Sequence, residues 1–89
     1  MRIVLTIVGK DKIGIIARVS NELAKHELNI LSINQNIMDG FFNMVLIADM
    51  SESRVKFQDI KTIFTELGNE IGVEIRVQSE EIFTAMHRI

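Results

Sequence analysis

Gly9-Lys10-Asp11-Lys12-Ile13-Gly14-Ile15 is the stretch of this sequence with the clearest capacity for chemistry. Two glycines bracket three charged residues. An apolar run, Ile3 to Val8, precedes them, and a helical pattern begins at about Ile15. A strand that turns through glycines into a helix start leaves backbone N–H groups without intrahelical acceptors. Such groups donate readily to a carboxylate or phosphate. Gly9 and Gly14 either let the backbone approach a ligand or serve the chain itself, Gly9 by ending the strand and Gly14 by fitting a tight start to the helix. Asp11 either binds a ligand ammonium or caps the helix. Lys10 and Lys12 either attract an anionic ligand or stand as solvated loop charges. Asn29, at the far end of the helix, either hydrogen-bonds a ligand across a subunit boundary or sits in a turn that tolerates left-handed backbone. Gln35 lies in a polar run, Asn34-Gln35-Asn36, and either contacts ligand or is satisfied at a strand edge.

Other chemistries find less support. There is no cysteine, so disulfides and thiolate metal sites are out of reach. The 2 histidines, His26 and His87, fall at the ends of different helical patterns with no carboxylate cluster at ligand spacing. No metal and no cofactor is expected. No serine stands in a nucleophile-elbow sequence, and Asp11 and Asp39 belong to separate turns, so no catalytic set is visible and no enzyme is expected. An acylphosphatase-like loop would want an arginine after strand one, where this chain has Lys10 and Lys12. The net charge is −2 and the pI about 5.6, without a basic stripe, so nucleic acid is not an expected partner. A sheet that stacks RNA bases needs aromatic residues on its exposed central strands, and Phe41 is the only candidate. No apolar run reaches roughly 18 residues, and no signal-peptide pattern opens the chain, so the expectation is a cytoplasmic protein with no membrane role.

The elements that must position these residues can be traced from periodicity. Residues 2–8 place Ile3, Leu5 and Ile7 on one side and Val4, Thr6 and Val8 on the other, as in a central strand. A helix follows over 15–26, with Ile16, Val19, Leu23 and Ala24 inward and Arg18, Glu22 and Lys25 outward. A strand over 30–38 then meets Asp39-Gly40, a two-residue hairpin signal, since a type I′ turn needs positive φ at both positions. The return strand is 41–50. That turn pairs Met38 with Phe41, Ile37 with Phe42, Gln35 with Met44 and Ile33 with Leu46. Leu31, Ile33 and Ile37 thus share a core face with Phe42, Met44, Leu46 and Ala48. The opposite face is mixed, and is either half wet or covered by another element.

Ser51 and Ser53 are cap candidates for a second helix, along which Phe57, Ile60, Phe64, Leu67 and Ile71 recur at helical spacing. Gly68 stands where a left-handed C-terminal residue would. Val73, Ile75 and Val77 alternate with Glu74, Arg76 and Gln78 as in an edge strand. Ser79-Glu80-Glu81 starts a short amphipathic helix carrying Ile82, Phe83, Met86 and Ile89. The 89 residues suit one domain, 1–89, whose modest core would gain from association with a second copy. The order β-α-β-β-α-β plus a terminal helix is an α+β, ferredoxin-like sandwich with a four-stranded antiparallel sheet. Strands 2–8 and 41–50 should be central, and 30–38 and 73–78 at the edges.

Within that order, Ile7-Val8-Gly9-Lys10-Asp11-Lys12-Ile13-Gly14-Ile15-Ile16-Ala17 and Glu27-Leu28-Asn29-Ile30 resemble the ACT domain, a regulatory module that binds amino acids and related small molecules. The stretch from Ser32 to Phe42 resembles the small, stand-alone prokaryotic ACT proteins. The resemblance covers essentially the whole chain. It implies a homo-oligomer, commonly a dimer, joined through sheet edges or helices. It implies a small-molecule ligand, an amino acid, held where the turn of one subunit meets the Asn-bearing segment of the next. On this sequence those positions are Gly9, Lys10, Asp11, Ile13 and Gly14, then Asn29 and Ile30, with Gln35 beside them. It also implies a regulated enzyme or transcription regulator as partner. The alternative is an interaction module that homodimerises and docks without a ligand of its own. Many amino-acid-binding members have Asn where Asp11 stands and Pro where Ile13 stands, so ligand identity does not carry over.

Overall fold

A computed structural model describes residues 1–86. The elements are β1 (Arg2–Lys10), α1 (Ile15–Lys25), β2 (Asn29–Met38), β3 (Phe41–Asp49), α2 (Phe57–Ile71), β4 (Glu74–Ser79) and α3 (Glu80–Met86). The strands form one antiparallel sheet in the order β2-β3-β1-β4, with the two most apolar strands in the middle. His87 and Ile89, placed by sequence at the end of the last helix, lie outside the described residues.

One face of the sheet makes the core. Ile3, Leu5 and Ile7 of β1 lie between Met44, Leu46 and Ala48 of β3 and Ile75 and Val77 of β4, and all are buried. From above, α1 contributes Ile15, Val19 and Leu23, and α2 contributes Ile60, Phe64 and Leu67. Each such side chain removed from water stabilises the fold by about 1.5–3 kcal/mol. The buried stripe of α1 differs from the expected one. Its apolar arc is wider than the contact with the sheet. The sheet takes the Ile15 side, and Ile16 and Ala24 are left exposed at the rim.

The β2–β3 hairpin has the predicted register, pairing Met38 with Phe41, Ile37 with Phe42, Gln35 with Met44 and Ile33 with Leu46. Its turn carries positive φ at both positions, 52° at Asp39 and 80° at Gly40, as a two-residue loop between twisted strands demands. The pattern breaks lower down. A bulge between Ile30 and Ser32 makes Leu31 an extra residue, so Ile30, opposite Ala48, packs on the core and Leu31 is exposed. Ile33 and Ile37 point to the core side yet stay 45% and 56% exposed. α2 lies over β4 and α1 reaches β2, where Ile30 joins the core, but Ile33 and Ile37 further along the strand stay uncovered. The expected core face of β2 is therefore open from Ile33 to Ile37.

The second helix also corrects two expectations. It is capped by Lys56 without a side-chain hydrogen bond. Ser51 bonds Asp49, and the Ser53 hydroxyl accepts from the Val55 N–H, so both serines serve the loop before the helix. The left-handed C-terminal residue is Gly72, φ 79°, not Gly68. Gly68 is buried within the helix, where a Cβ would come 2.7 Å from the Val73 carbonyl oxygen. The glycine lets α2 approach the start of β4.

On the other face of the sheet, α3 starts at the Ser79 hydroxyl, which accepts the Ile82 N–H. It packs on β1 and β4, and Val4 beneath is 1% exposed. Further along the same face Val45 and Ile47 are half-buried, and Val8 and Phe41 are exposed. That face is covered at one end and open at the other.

Candidate functional site

β1 runs two residues beyond the apolar stretch, and this changes the role of its glycine. Gly9 is a strand residue opposite Phe42, and a Cβ on it would stand 2.8 Å from the Val73 Cγ1. Its missing side chain makes room for Val73, the residue before β4. Lys10 closes the strand opposite Phe41 and is exposed.

The turn proper is residues 11–14. The Asp11 N–H donates to the Gly40 carbonyl at 2.8 Å, tying the turn to the hairpin tip. The Lys12 ammonium reaches across to the C-terminal end of α2 and donates to the Ile71 carbonyl at 3.3 Å. That end of a helix carries a partial negative charge that favours a cation. Ile13, between these two ties, is fully exposed. Gly14 has φ 89°, with open space where a Cβ would lie. The left-handed backbone, not crowding, requires glycine there. The Gly14 carbonyl accepts the Arg18 N–H, and no side chain caps α1. The N–H groups of the first helical turn thus have no side-chain cap among the described residues.

These residues form one wall of an open cleft of about 460 Å³. Asp11, Lys12 and Gly14 line it with Ile15, Ile16 and Ala17, and Gln35, Ile37 and Phe42 face them from the hairpin. The cleft is largely hydrocarbon with few polar groups, the usual make-up of a small-molecule site. Of the two roles weighed for Asp11, helix capping is not taken. Its carboxylate has no hydrogen bond or ion pair among the described residues.

The fold brings together Asp11, Lys12, Gly14 and Gln35. It leaves out Gly9 and Lys10, which belong to the strand, and Ile13, which points into solvent. Asn29 and Ile30 lie at the opposite end of β2. Asn29 pairs with Asp49, and Ile30 serves the core. Nor does Asn29 supply the left-handed turn after α1, since Glu27 does so with φ 60°. Ile16, Ala17, Ile37 and Phe42 are cleft residues that motif reasoning did not select. The hairpin register held a signal for two of them, because it sets Ile37 against Phe42 two residues from Gln35 on the same face.

The far end of the sheet has its own electrostatics. Asp49 accepts from the Ser51 hydroxyl at 2.7 Å and the Ser51 N–H at 3.1 Å, with the amino terminus at 3.8 Å. The two Ser51 hydrogen bonds, ahead of the nearby positive charges, hold its carboxyl below the ordinary value of 3.8. His26 pairs with Glu22 at 2.9 Å along α1. Among the described residues no group of three acidic, histidine or cysteine side chains could hold a metal ion. No helix among them is long and apolar enough to cross a membrane.

A family model described as the ACT domain matches residues 1–78. A UPF0237 protein of Listeria innocua is 48% identical over 89 residues, covering 100% of both chains. Another from Bifidobacterium longum is 49% identical over 86 residues, covering 97% of this chain and 96% of its own. Among solved structures, an ACT domain protein from Streptococcus pneumoniae superposes with a TM-score of 0.82 at 37% identity, covering 93% of each chain. A formyltetrahydrofolate deformylase from Pseudomonas syringae matches 88% of this chain over 27% of its own length, with a TM-score of 0.80 at 27% identity. The chain belongs to the ACT domain family.

Proposed function

We propose that this ACT-domain chain is a single-domain cytoplasmic regulator, without catalytic activity, that binds a free amino acid or a close chemical relative in the β1–α1 cleft and works as a homodimer. The observation that carries this reading is the cleft itself. It holds a carboxylate with no partner among the described residues beside an apolar wall, which together suit the ammonium and the side chain of an amino acid.

Dimerisation would complete the site. β2 is an edge strand with exposed Ile33 and Ile37. Antiparallel pairing of two β2 strands about a two-fold axis near Ile33 and Asn34 would join the two sheets. It would also carry Asn29 of the partner subunit to the Met38 end, beside the cleft. Asn29 and Ile30, remote from the turn within one chain, would then reach it from the other. Ligand binding at such a seam would favour one arrangement of the two subunits and so signal to a regulated enzyme or transcription regulator. Neither nucleic acid nor membrane has a part in this reading.

The test is a thermal-shift screen of the purified protein against the amino acids. At least one should raise the melting temperature, and Asn29→Ala should abolish that rise while the dimer persists. A panel in which nothing shifts the melt refutes the ligand reading. A second reading, an interaction module without its own ligand, draws on the open sheet face with Val8, Met38 and Phe41 exposed. Capture of a defined protein partner, lost on Phe41→Glu, together with a silent amino-acid panel, would favour it.

A further inference from the structure

Resting on the cleft as the ligand site, we propose that it selects for a primary ammonium group on a compact apolar body. Asp11 is the specificity-determining residue, and a carboxylate on the ligand is dispensable. Among the described residues, Asp11 and Lys12 are the two titratable ones lining the cleft. Their situations differ. The Lys12 ammonium is drawn away to the Ile71 carbonyl, 3.3 Å distant at the negative end of α2. Gly72, held at φ 79°, lies beside the Lys12 ammonium at that helix end. The Asp11 backbone is fixed by Gly40, while its carboxylate neither caps α1 nor meets a cation among the described residues.

The balance of charge follows. The cleft holds the full negative charge of Asp11 and roughly half a positive charge at the α1 terminus. A ligand carboxylate gains N–H donors from α1 but also meets the charge of Asp11. A ligand ammonium finds a carboxylate that no cation pairs with among the described residues. The rest of the lining is hydrocarbon from Ile16, Ala17, Ile37 and Phe42, with Gln35 the one neutral polar side chain. A cleft of about 460 Å³ suits a small molecule. It offers an apolar body a place to lie once the ammonium is anchored.

Titration calorimetry with three probes on one branched body separates the contributions. L-leucine carries both charged groups, 3-methylbutylamine only the ammonium, and 4-methylpentanoate only the carboxylate. Leucine and the amine should bind alike, and the acid about tenfold or more weakly, the worth of one hydrogen bond to a charged group. Asp11→Asn should weaken the amine by about tenfold with at most a small fall in the melting temperature of the free protein, since that carboxylate has no hydrogen bond or ion pair among the described residues. Lys12→Met should leave the order of the probes unchanged. The acid binding as well as leucine while the amine fails would overturn the assignment and leave the amino-acid reading standing. Equal binding by all three, binding by leucine alone, or a changed order in Lys12→Met would also overturn it. If none of the three binds, the apolar-amine assignment falls. The amino-acid reading is then judged separately by the wider thermal-shift panel.

Discussion

The two edges of the sheet are finished in opposite ways. β4 is six residues long and alternates Glu74, Arg76 and Gln78 with buried Ile75 and Val77. Its core side lies under α2, and the chain leaves it directly into α3. Arg76 and Glu74 pair along its outer surface at 3.0 Å. β2 is ten residues long and has no charged residue from Asn29 to Met38. Ile33 and Ile37 on its core side are half open to water. A short charged edge resists pairing with another chain, whereas a long uncharged one invites it. The molecule protects one edge and leaves the other available, and the candidate cleft opens on the available side. Closure also explains where glycine is needed for packing. Gly68 and Gly9 both yield space to Val73 at the mouth of β4. No glycine serves that purpose along β2.

The sharpest test of the contrast is truncation on each side. Phe64→Ala, beneath α2 on the closed side, should cost about 3–5 kcal/mol in chemical denaturation. A cost under roughly 1 kcal/mol would mean that the β4 side is not the packed one. Next comes Gly68→Ala. Helix propensity alone would favour alanine by about 1 kcal/mol. The carbonyl of Val73, 2.7 Å from the new Cβ, should reverse that sign and leave a loss of about 1–3 kcal/mol. On the open side Ile33→Glu should change monomer stability by no more than about 0.5 kcal/mol, as exposed substitutions do. If the chain dimerises through β2 as proposed, Ile33→Glu should nevertheless convert that dimer to monomer in sedimentation equilibrium, while Arg76→Ala on β4 should leave association untouched. A dimer that survives Ile33→Glu would place the interface elsewhere.

The smallest effect concerns the lower end of the β2–β3 ladder, where Asp49 faces Asn29. The folded carboxyl titrates below its ordinary value of 3.8 because Ser51 donates to the charged form. Its contribution to stability is therefore complete above that value. It falls away as the pH drops through the lower folded value. Asp49→Asn should flatten this acid limb of the stability profile and leave the difference between the two edges as it is. An unchanged acid limb would mean that the Ser51 hydrogen bonds carry no stabilisation.

Much of the fold was legible because the signals are local. Asp39-Gly40 fixes a two-residue turn, the turn fixes which residues face one another, and alternation along β1 and β3 marks them as central. The direction of Asp11 and the departure of Leu31 from the ladder were not legible. Helix capping by Asp11 and freedom from it are written with the same residue. A bulge at Leu31 and a regular strand share one alternating pattern, and only the packing of Ile30 against the core separates them. The serine caps for α2 failed for a related reason: Ser51 and Ser53 had nearer acceptors and donors in Asp49 and Val55.

The sequence by itself determined the order of elements, the hairpin register, the central strands and the turn on which a ligand site could be built. Those features depend on periodicity and on backbone geometry a few residues wide. The tertiary structure alone decided that Gly9 serves Val73, that Lys12 serves the end of α2, and that Ile33 and Ile37 face open space. Each depends on where a distant element comes to rest. How far two helices extend across four strands is set by total packing, not by the pattern of any one strand. The Gly9–Gly14 stretch is thus divided by the fold, its first glycine given to packing and its second to the mouth of the cleft.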